Sequence, residues 1–267
     1  MPSSAKTSVR NFANSSNPAS NFRTFPVRLD LFLAESRNLS RNRARFLIEE
    51  GLVKVAGVLA KKPALEIDVA NPNLVEVAED PRTTYVARSA VKLEKFLSAE
   101  SLDVTGSECL DIGSSTGGFV QVLLASGASR VVAVDVGSDQ LHPSLRPDPR
   151  IELHENTDVR DFRPDRTFPF VTADLSFIPL ESVLADIVRL ASPDATVVLL
   201  FKPQFEVGKE HLTKTHVARP GKAVDAAISH FRETLRSHSL QERSFRESQL
   251  PGEAGNREYF FLLRKDS

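Results

Sequence analysis

The 267-residue sequence predicts an α/β protein in which a mostly parallel sheet, with helices on both faces, follows a small α+β domain. Three observations predict this fold. From residue 88 onward, apolar strand-like segments alternate with helical segments, as in sheets built from crossover connections. Glycines crowd residues 113–118, after the first of these strands, where a tight turn leads into a helix. Residues 1–62 carry a net charge of +7 and the rest carry −8, so two parts of different character are joined.

The apolar runs and the cysteine content restrict the class of protein. No apolar run reaches the roughly 18 to 20 residues that a membrane-spanning helix needs, and no secretory signal is present at the amino terminus. The single cysteine, Cys109, excludes an internal disulfide and a cysteine-rich metal cluster. These features predict a cytoplasmic protein with neither a membrane nor a metal partner.

The first 26 residues predict a tail. They are rich in Ser and Asn and contain no acidic residue, so they cannot bury enough apolar surface to fold alone. A disordered extension is the first interpretation. An organelle transit peptide has a similar composition, and this alternative stays open.

Two short helices begin the small domain, which we assign to residues 27–80. The first lies in RLDLFLAES and the second in LSRNRARFLIEEG, where Ser40 is the predicted N-cap and Gly51 the stop. Apolar residues at helical spacing form their predicted core side: Leu29, Phe32, Leu33, Ala44, Leu47 and Ile48.

A hairpin follows the second helix. The segment LVKVAGVLAKKP has two short extended runs around Ala56 and Gly57, which predicts a tight turn. One or two further strands come next, and NLVEVAE is the clearest of them. Residues 81–87 are assigned to a linker.

Basic side chains collect on this small domain, which favours a polyanionic partner over a merely solvated surface. The RLD segment, the SR before the second helix, the helix-stopping glycine and the V.V.G...KKP hairpin resemble the S4-type RNA-binding domain. Ala56 stands where such domains often have Asn. The resemblance implies that the RNA is contacted by Arg28, Arg41, Arg45, Lys54, Lys61 and Lys62.

The second domain is assigned to residues 88–267. The predicted elements are a helix near SAVKLEKFLSAE, a strand ECLDI, a helix from Gly118, the strands RVVAVDV, RIELH and FPFVTADL, a helix LESVLADIVRLA, a strand ATVVLLFK, a helix AVDAAISHFRETLRSH and a last strand REYFFLLRK. In such a sheet the ligand binds at the carboxyl ends of the central strands, where the glycine turn lies.

The spacing of the glycines restricts the ligand. Glycines fall at 113, 117 and 118, whereas a dinucleotide fingerprint needs G-x-G-x-x-G and a P-loop needs G-K-[ST]. Asp135 ends the next strand, where a carboxylate can accept hydrogen bonds from ribose hydroxyls, and Asp158 follows the third strand, where it could reach an adenine amine. This combination favours S-adenosyl-L-methionine, although a plain turn and solvated acids remain the alternative.

Longer motifs resemble one family. YVARSAVKLEKFL, CLDIGSSTGGFVQVLL, AVDVGSDQLHPSLRPDPRI, ADLSFIPL, FKPQFEVGKE and GNREYFFLL occur in the order and spacing of the TlyA (hemolysin A) family of RNA methyltransferases. The resemblance implies an S4-type domain joined to an FtsJ-like, Rossmann-like class I methyltransferase domain. It also implies methylation of the ribose 2'-oxygen, typically of cytidine, in ribosomal RNA or ribosomal subunits. Its cofactor contacts map to Gly113, Ser114, Gly117, Gly118, Phe119, Asp135 and Asp158.

The same resemblance implies a Lys-Asp-Lys-Glu catalytic tetrad, formed here by Lys92, Asp174, Lys202 and Glu258. A ribose hydroxyl is a poor nucleophile, so a lysine that takes its proton or stabilises the developing alkoxide suits the reaction. Lys202 directly follows the apolar run VVLLF and is the predicted base. Arg88 is a further predicted RNA contact.

Two segments depart from the family pattern. Ser89 and Ala90 replace the glycines common between Arg88 and Lys92, and HLTKTHVARPGKAV replaces a Gly-rich loop. Other chemistries fit less well, because Cys109 lies within a strand, the Asn/Asp-Pro-Pro-aromatic motif of amine methylation is absent, and the histidines form no metal-like cluster. A catalytically weak RNA- or ribosome-binding protein and a hemolysin-like membrane-active protein remain alternatives.

Overall fold

The computed structural model describes residues 26–37, 39, 41–68, 74–78 and 85–266. Except for Pro26, the predicted tail lies outside these residues, and so does the predicted N-cap Ser40. The chain forms two compact units, residues 1–83 and 84–267.

The described residues of the first unit form two helices and two small antiparallel sheets. Strand β1 pairs with β4, and the second sheet has the order β3-β2-β5. All six predicted core residues of the two helices are buried. The elements are β1 (Val27–Arg28), α1 (Leu29–Ser36), α2 (Arg41–Glu49), β2 (Val53–Val55), β3 (Val58–Leu59), β4 (Glu66–Ile67) and β5 (Val75–Val77).

The predicted hairpin turn joins β2 to β3. Both of its central residues have positive φ, 50° at Ala56 and 76° at Gly57, as the tightest hairpins require. Ala56 therefore occupies a conformation that Asn adopts more readily than Ala does, because the Cβ of an L-residue crowds the backbone there. This explains why related domains favour Asn at the position where this chain has Ala.

The second unit is one seven-stranded sheet with helices, as the alternating pattern predicts. The elements are α3 (Arg88–Ala99), β6 (Glu108–Ile112), α4 (Gly118–Ala125), β7 (Arg130–Val134), β8 (Ile151–His154), β9 (Phe168–Ala173), α5 (Leu184–Leu190), β10 (Ala191–Phe201), α6 (Pro203–Glu206), α7 (Lys222–Ser237), β11 (Leu240–Glu247) and β12 (Tyr259–Lys265). Strand β11 is the one described strand of this unit that the sequence interpretation missed.

The strand order β11-β12-β10-β9-β6-β7-β8 fixes where a ligand can bind. Strands β6 to β10 are all parallel to one another, and β12 runs antiparallel between β10 and β11. The chain moves outward from β6 through β7 to β8, and then crosses back to β9 on the other side. The crevice at this reversal opens at the carboxyl ends of β6 and β9, which we call the carboxyl edge.

Candidate functional site

Two strand ends bring the first pair of predicted catalytic residues together. Strands β9 and β10 are parallel neighbours, and Asp174 and Lys202 directly follow them. Lys202 Nζ lies 2.7 Å from Asp174 Oδ1 and donates to Ser176 Oγ at 3.0 Å. The Lys202 residue is only 9% exposed, so it is not a solvated surface lysine.

A helix and the last strand supply the second pair. Lys92 Nζ donates to Glu258 Oε2 at 2.6 Å. Phe96, one turn after Lys92, stacks on Phe260, two residues after Glu258, with ring centroids 4.4 Å apart. These rings seat α3 against β12 so that the lysine meets the carboxylate.

The two pairs occupy neighbouring strand ends. Phe201 of β10 pairs with Tyr259 of β12, so Lys202 and Glu258 leave the sheet side by side at the carboxyl edge. Gln204 on α6 donates from Nε2 to Glu258 Oε1 at 3.3 Å. Two cations and two anions therefore balance one another in a buried site, where an unpaired charge would be strongly destabilising.

In the glycine turn between β6 and α4, each of the three glycines lies where a larger side chain would meet neighbouring atoms. Gly113 has a φ of 78°, and a Cβ there would lie 2.8 Å from the Asp174 carbonyl oxygen. Gly117 has a φ of 92°, and its Cβ would meet the side chains of two leucines at 2.5 and 2.6 Å. Gly118 lies against α3, since its Cβ would come within 2.3 Å of Ser89 Oγ. Packing within the protein thus accounts for Gly117 and Gly118, while their predicted cofactor contacts stay predictions.

A cavity of about 560 Å³ lies at the carboxyl edge and includes the predicted cofactor residues Gly113, Asp135 and Asp158. Both Asp135 oxygens accept backbone hydrogen bonds, from Ser115 N at 2.8 Å and from Gly137 N at 2.7 Å. These bonds hold the carboxylate at the cavity wall. Asp158 also lines the cavity, but its carboxylate is bound by Arg160, whose side-chain hydrogen bonds, together with a backbone bond, lower the pKa of Asp158.

A second cavity of about 150 Å³ joins the glycine turn to the first lysine pair. Its lining includes Ser114, Phe119 and Lys202. Ser114 Oγ is buried and has no hydrogen-bond partner among the described residues. Phe119 is 2% exposed, and the centroid of its ring lies 6.3 Å from that of Phe260. It therefore packs in the core as well as lining this cavity. Both cavities are lined by Gly113, Ser115, Asp174 and Ser176.

A buried carboxylate lies beneath the glycine turn. Asp111 of β6 is fully buried and accepts a hydrogen bond from Thr172 Oγ1 at 2.6 Å, and its other oxygen has no partner among the described residues. Burial raises the pKa of Asp111 to about 7, with smaller contributions from Asp174 and Asp135. A group with a pKa near neutral therefore lies beneath the glycine turn, although it lines neither cavity.

The loop after β9 presents an exposed aromatic ring. Phe177 is 88% exposed, has a φ of 71°, and lies 5.5 Å from the Phe205 ring. Glu206 accepts a hydrogen bond from Leu180 N at 2.9 Å and so ties this loop to α6. Burial raises the pKa of Glu206 to about 7.

The predicted RNA contacts of the first unit fall into two groups. Arg28 and Arg41 both bind the fully buried carboxylate of Asp30, at 2.9 and 3.3 Å, so they also have a structural role. Arg45 lies 3.6 Å from Glu49 one turn along α2. The exposed lysines of this unit are Lys54, Lys61 and Lys62. In the second unit, the predicted contact Arg88 begins α3 and is exposed.

Three further observations concern chemistry at other positions. Cys109 is fully buried, and burial raises the pKa of its thiol to about 12, as suits a core residue. Within the described residues no cluster of three or more His, Cys, Asp or Glu could hold a metal ion. No helix in the described parts of the chain is both long and apolar enough to span a bilayer.

Sequence reasoning missed the contacts that surround the tetrad. Gln204 and Phe177 lie within quoted motifs but carry no spacing signal of their own. Asn256, two residues before Glu258, is 4% exposed and binds the loop that precedes α7. The one feature of the sequence that could have indicated Gln204, Phe177 and Asn256 is that each lies two or three residues from a predicted tetrad member.

Known families match both units. Residues 85–265 match the FtsJ-like methyltransferase family, and residues 27–70 match the S4 domain. The chain is 39% identical over 258 residues to the 23S rRNA (cytidine-2'-O)-methyltransferase TlyA of Campylobacter jejuni, covering 90% of this chain and 100% of that protein. It is 42% identical over 232 residues to the 16S/23S rRNA (cytidine-2'-O)-methyltransferase TlyA of Mycobacterium tuberculosis, covering 84% of each chain.

A solved structure supports the same relationship. A candidate hemolysin from Streptococcus thermophilus matches with a TM-score of 0.68 and 29% identity, covering 92% of this chain and 90% of that one.

Proposed function

The chain belongs to the FtsJ-like methyltransferase family, within the group of TlyA methyltransferases, and from this premise we propose that it methylates the ribose 2'-oxygen of cytidine in ribosomal RNA. The S4 domain of the first unit supports RNA as the partner. We further propose that the substrate is a ribosomal subunit in the cytoplasm, where rRNA-modifying relatives would meet it.

The residues at the carboxyl edge fit S-adenosyl-L-methionine. The Asp135 carboxylate is held at the cavity wall by two backbone N–H groups, and its remaining lone pairs suit ribose hydroxyls. The unpartnered Ser114 hydroxyl offers a polar contact where the smaller cavity approaches Lys202. Gly113 lines both cavities, where its backbone suits a contact with the methionine part of the cofactor. When bound, the cofactor supplies an electrophilic methyl group on sulfur.

The two lysine pairs have distinct proposed roles in the reaction. Lys202 would stabilise the developing alkoxide as an ammonium, or accept the hydroxyl proton after losing its own, while the 2'-oxygen takes the methyl group and the donor's sulfur leaves with the electron pair of the broken carbon–sulfur bond. Asp174 and Ser176 hold the Lys202 amine at the wall of the smaller cavity. Lys92 and Glu258 form the second pair, beside the neighbouring strand end. In-line transfer between held groups depends largely on such positioning.

The target nucleotide must leave its helix to expose the 2'-oxygen, and Phe177 is suited to receive it. The Phe177 ring is 88% exposed, so most of its apolar surface is in unfavourable contact with water. A base stacked on the ring would cover that surface. The ring lies three residues after Asp174, at the opening of the site. We therefore assign Phe177 to stacking on the displaced base.

One observation carries the proposal: two buried lysine–carboxylate pairs converge at the carboxyl edge, beside a cavity that fits the methyl donor. The test is transfer of a labelled methyl group to unmethylated ribosomal subunits. The wild-type protein is expected to label rRNA, and Lys202→Ala is expected to lose nearly all transfer while keeping cofactor binding. A base-methylated nucleoside, or full activity in Lys202→Ala, would overturn the proposal.

A further inference from the structure

A basic hairpin precedes α7 in a unit that is otherwise acidic. Residues 84–267 hold 22 Lys and Arg against 26 Asp and Glu, a net charge of −4. Within 209–222 the balance reverses, because four lysines and arginines, with two histidines, face the single acid Glu210. We call residues 209–222 the basic hairpin; its Lys and Arg members are Lys209, Lys214, Arg219 and Lys222.

Internal hydrogen bonds give the basic hairpin a defined shape. Leu212 pairs with Ala218 in an antiparallel bridge, and Thr213 N donates to Val217 O at 2.8 Å. The Thr213 hydroxyl also accepts a hydrogen bond from Val217 N at 3.0 Å. Arg219 N donates to the His211 carbonyl at 3.0 Å, which closes the base. The charged groups are therefore presented on an ordered frame.

Asn256, in the segment just before β12, holds this frame in place. Its Oδ1 accepts a hydrogen bond from Ala218 N at 2.9 Å, and its Nδ2 donates to the His216 carbonyl at 3.2 Å. The amide is buried and lies two residues before Glu258. Both ends of one side chain thus fix the basic hairpin beside the tetrad.

The basic groups themselves are available for a partner. Lys209, Lys214, Arg219 and Lys222 are all exposed, and neither Lys214 nor Lys222 forms an ion pair with any described residue. The buried amide of Asn256 anchors the basic hairpin on one side, and its exposed cations lie on the other. An anion that binds these cations would therefore be held in a fixed position. Regularly spaced phosphates match several cations at once, whereas a free anion would match one or two.

We propose that the basic hairpin binds the RNA phosphate backbone next to the nucleotide being methylated, as a contact of the methyltransferase unit that is separate from the S4 domain. The inference rests on the proposed function for its substrate. Its role is to hold the RNA near the tetrad, so it acts on substrate affinity and leaves the chemical step unchanged.

The test compares two double charge reversals in the full-length protein. Lys214→Glu/Lys222→Glu removes the proposed contact. Arg236→Glu/Arg243→Glu makes the same charge change at exposed positions near the opposite edge of the sheet. Binding to unmethylated ribosomal RNA is measured as a function of salt, together with KM and kcat for methyl transfer.

The proposal predicts that Lys214→Glu/Lys222→Glu raises KM at least about tenfold, lowers the log–log salt slope of binding by about 2, and leaves kcat and cofactor affinity unchanged. The control should change each quantity much less. Equal effects of the two variants, or a lower kcat with unchanged KM, would overturn it. If the wild-type protein binds RNA without methylating it, the proposed function fails, while the salt slopes still test the basic hairpin.

Discussion

Breaking the Lys92–Glu258 pair should cost more stability than removing it. The two side chains are 10% and 3% exposed, and their charged atoms lie 2.6 Å apart. Lys92→Met keeps the length of the side chain but leaves the Glu258 carboxylate with one weak donor, the Gln204 amide at 3.3 Å. A buried carboxylate left in this way destabilises a protein by about 3–5 kcal/mol.

The double variant Lys92→Met/Glu258→Gln separates this cost from the loss of a contact. With both charges gone, no buried ion remains unpaired, so we expect its stability to return to within about 1–2 kcal/mol of the wild type. Urea denaturation followed by circular dichroism measures the four corners of the cycle. Methyl transfer should be lost in all three variants, because the pair is part of the proposed site.

Two results would refute this reasoning. A loss below about 1 kcal/mol in Lys92→Met would mean that the carboxylate is not as buried as the structure places it. A double variant as unstable as Lys92→Met alone would mean that packing, and not the unpaired charge, dominates the energetics.

Three other expectations follow from the same structure. Asp135→Ala should weaken S-adenosyl-L-methionine binding at least about tenfold in calorimetry with little change in unfolding, because its carboxylate lies at the cavity wall; unchanged affinity would contradict its role. Asp111 has a folded pKa of about 7 against about 3.8 unfolded, so the folded state binds the extra proton and stability should fall by about 3 kcal/mol from pH 5 to pH 8. Asp111→Asn should remove this contribution and leave the one expected from Glu206, whose pKa is also raised to about 7; an unaltered pH profile of unfolding would refute the assignment. In the S4 domain, Arg41→Ala should lower the free energy of unfolding, because the buried Asp30 loses one of its partners. Replacing the three exposed lysines Lys54, Lys61 and Lys62 with alanine should leave that free energy unchanged and reduce the salt slope of RNA binding by about 3.

The four predicted tetrad positions came from the resemblance to the TlyA family, and the strand pattern explains only why two of them, Asp174 and Lys202, lie close together. Asp174 follows β9 and Lys202 follows β10, and because these strands are parallel neighbours, both residues leave the sheet at the same edge. The hairpin around Ala56 could also be predicted from the sequence, because two short extended runs joined by two residues, one of them Gly, are typical of a tight β-hairpin turn.

The features that sequence reasoning missed depend on contacts that leave no periodic pattern in the sequence. Strand β11 was missed because LQERSFRE is mostly polar, and it lies at the edge of the sheet where exposure hides the alternation. Asp30 reads as a surface acid, yet it is fully buried and binds two arginines that sequence reasoning assigned to RNA alone. Gln204 and Asn256 act through one and two side-chain hydrogen bonds to residues far away in the sequence, and no local pattern encodes such contacts.

The most direct test uses the chemistry of the ribose itself. Alkaline cleavage of RNA requires a free 2'-hydroxyl, so a 2'-O-methylated nucleotide resists it. Unmethylated ribosomal subunits are incubated with S-adenosyl-L-methionine and either the wild-type protein or Lys202→Ala, and the rRNA is then hydrolysed and mapped. We predict protection at a cytidine with the wild-type protein and none with the variant. Methyl incorporation without any protected position would contradict ribose methylation.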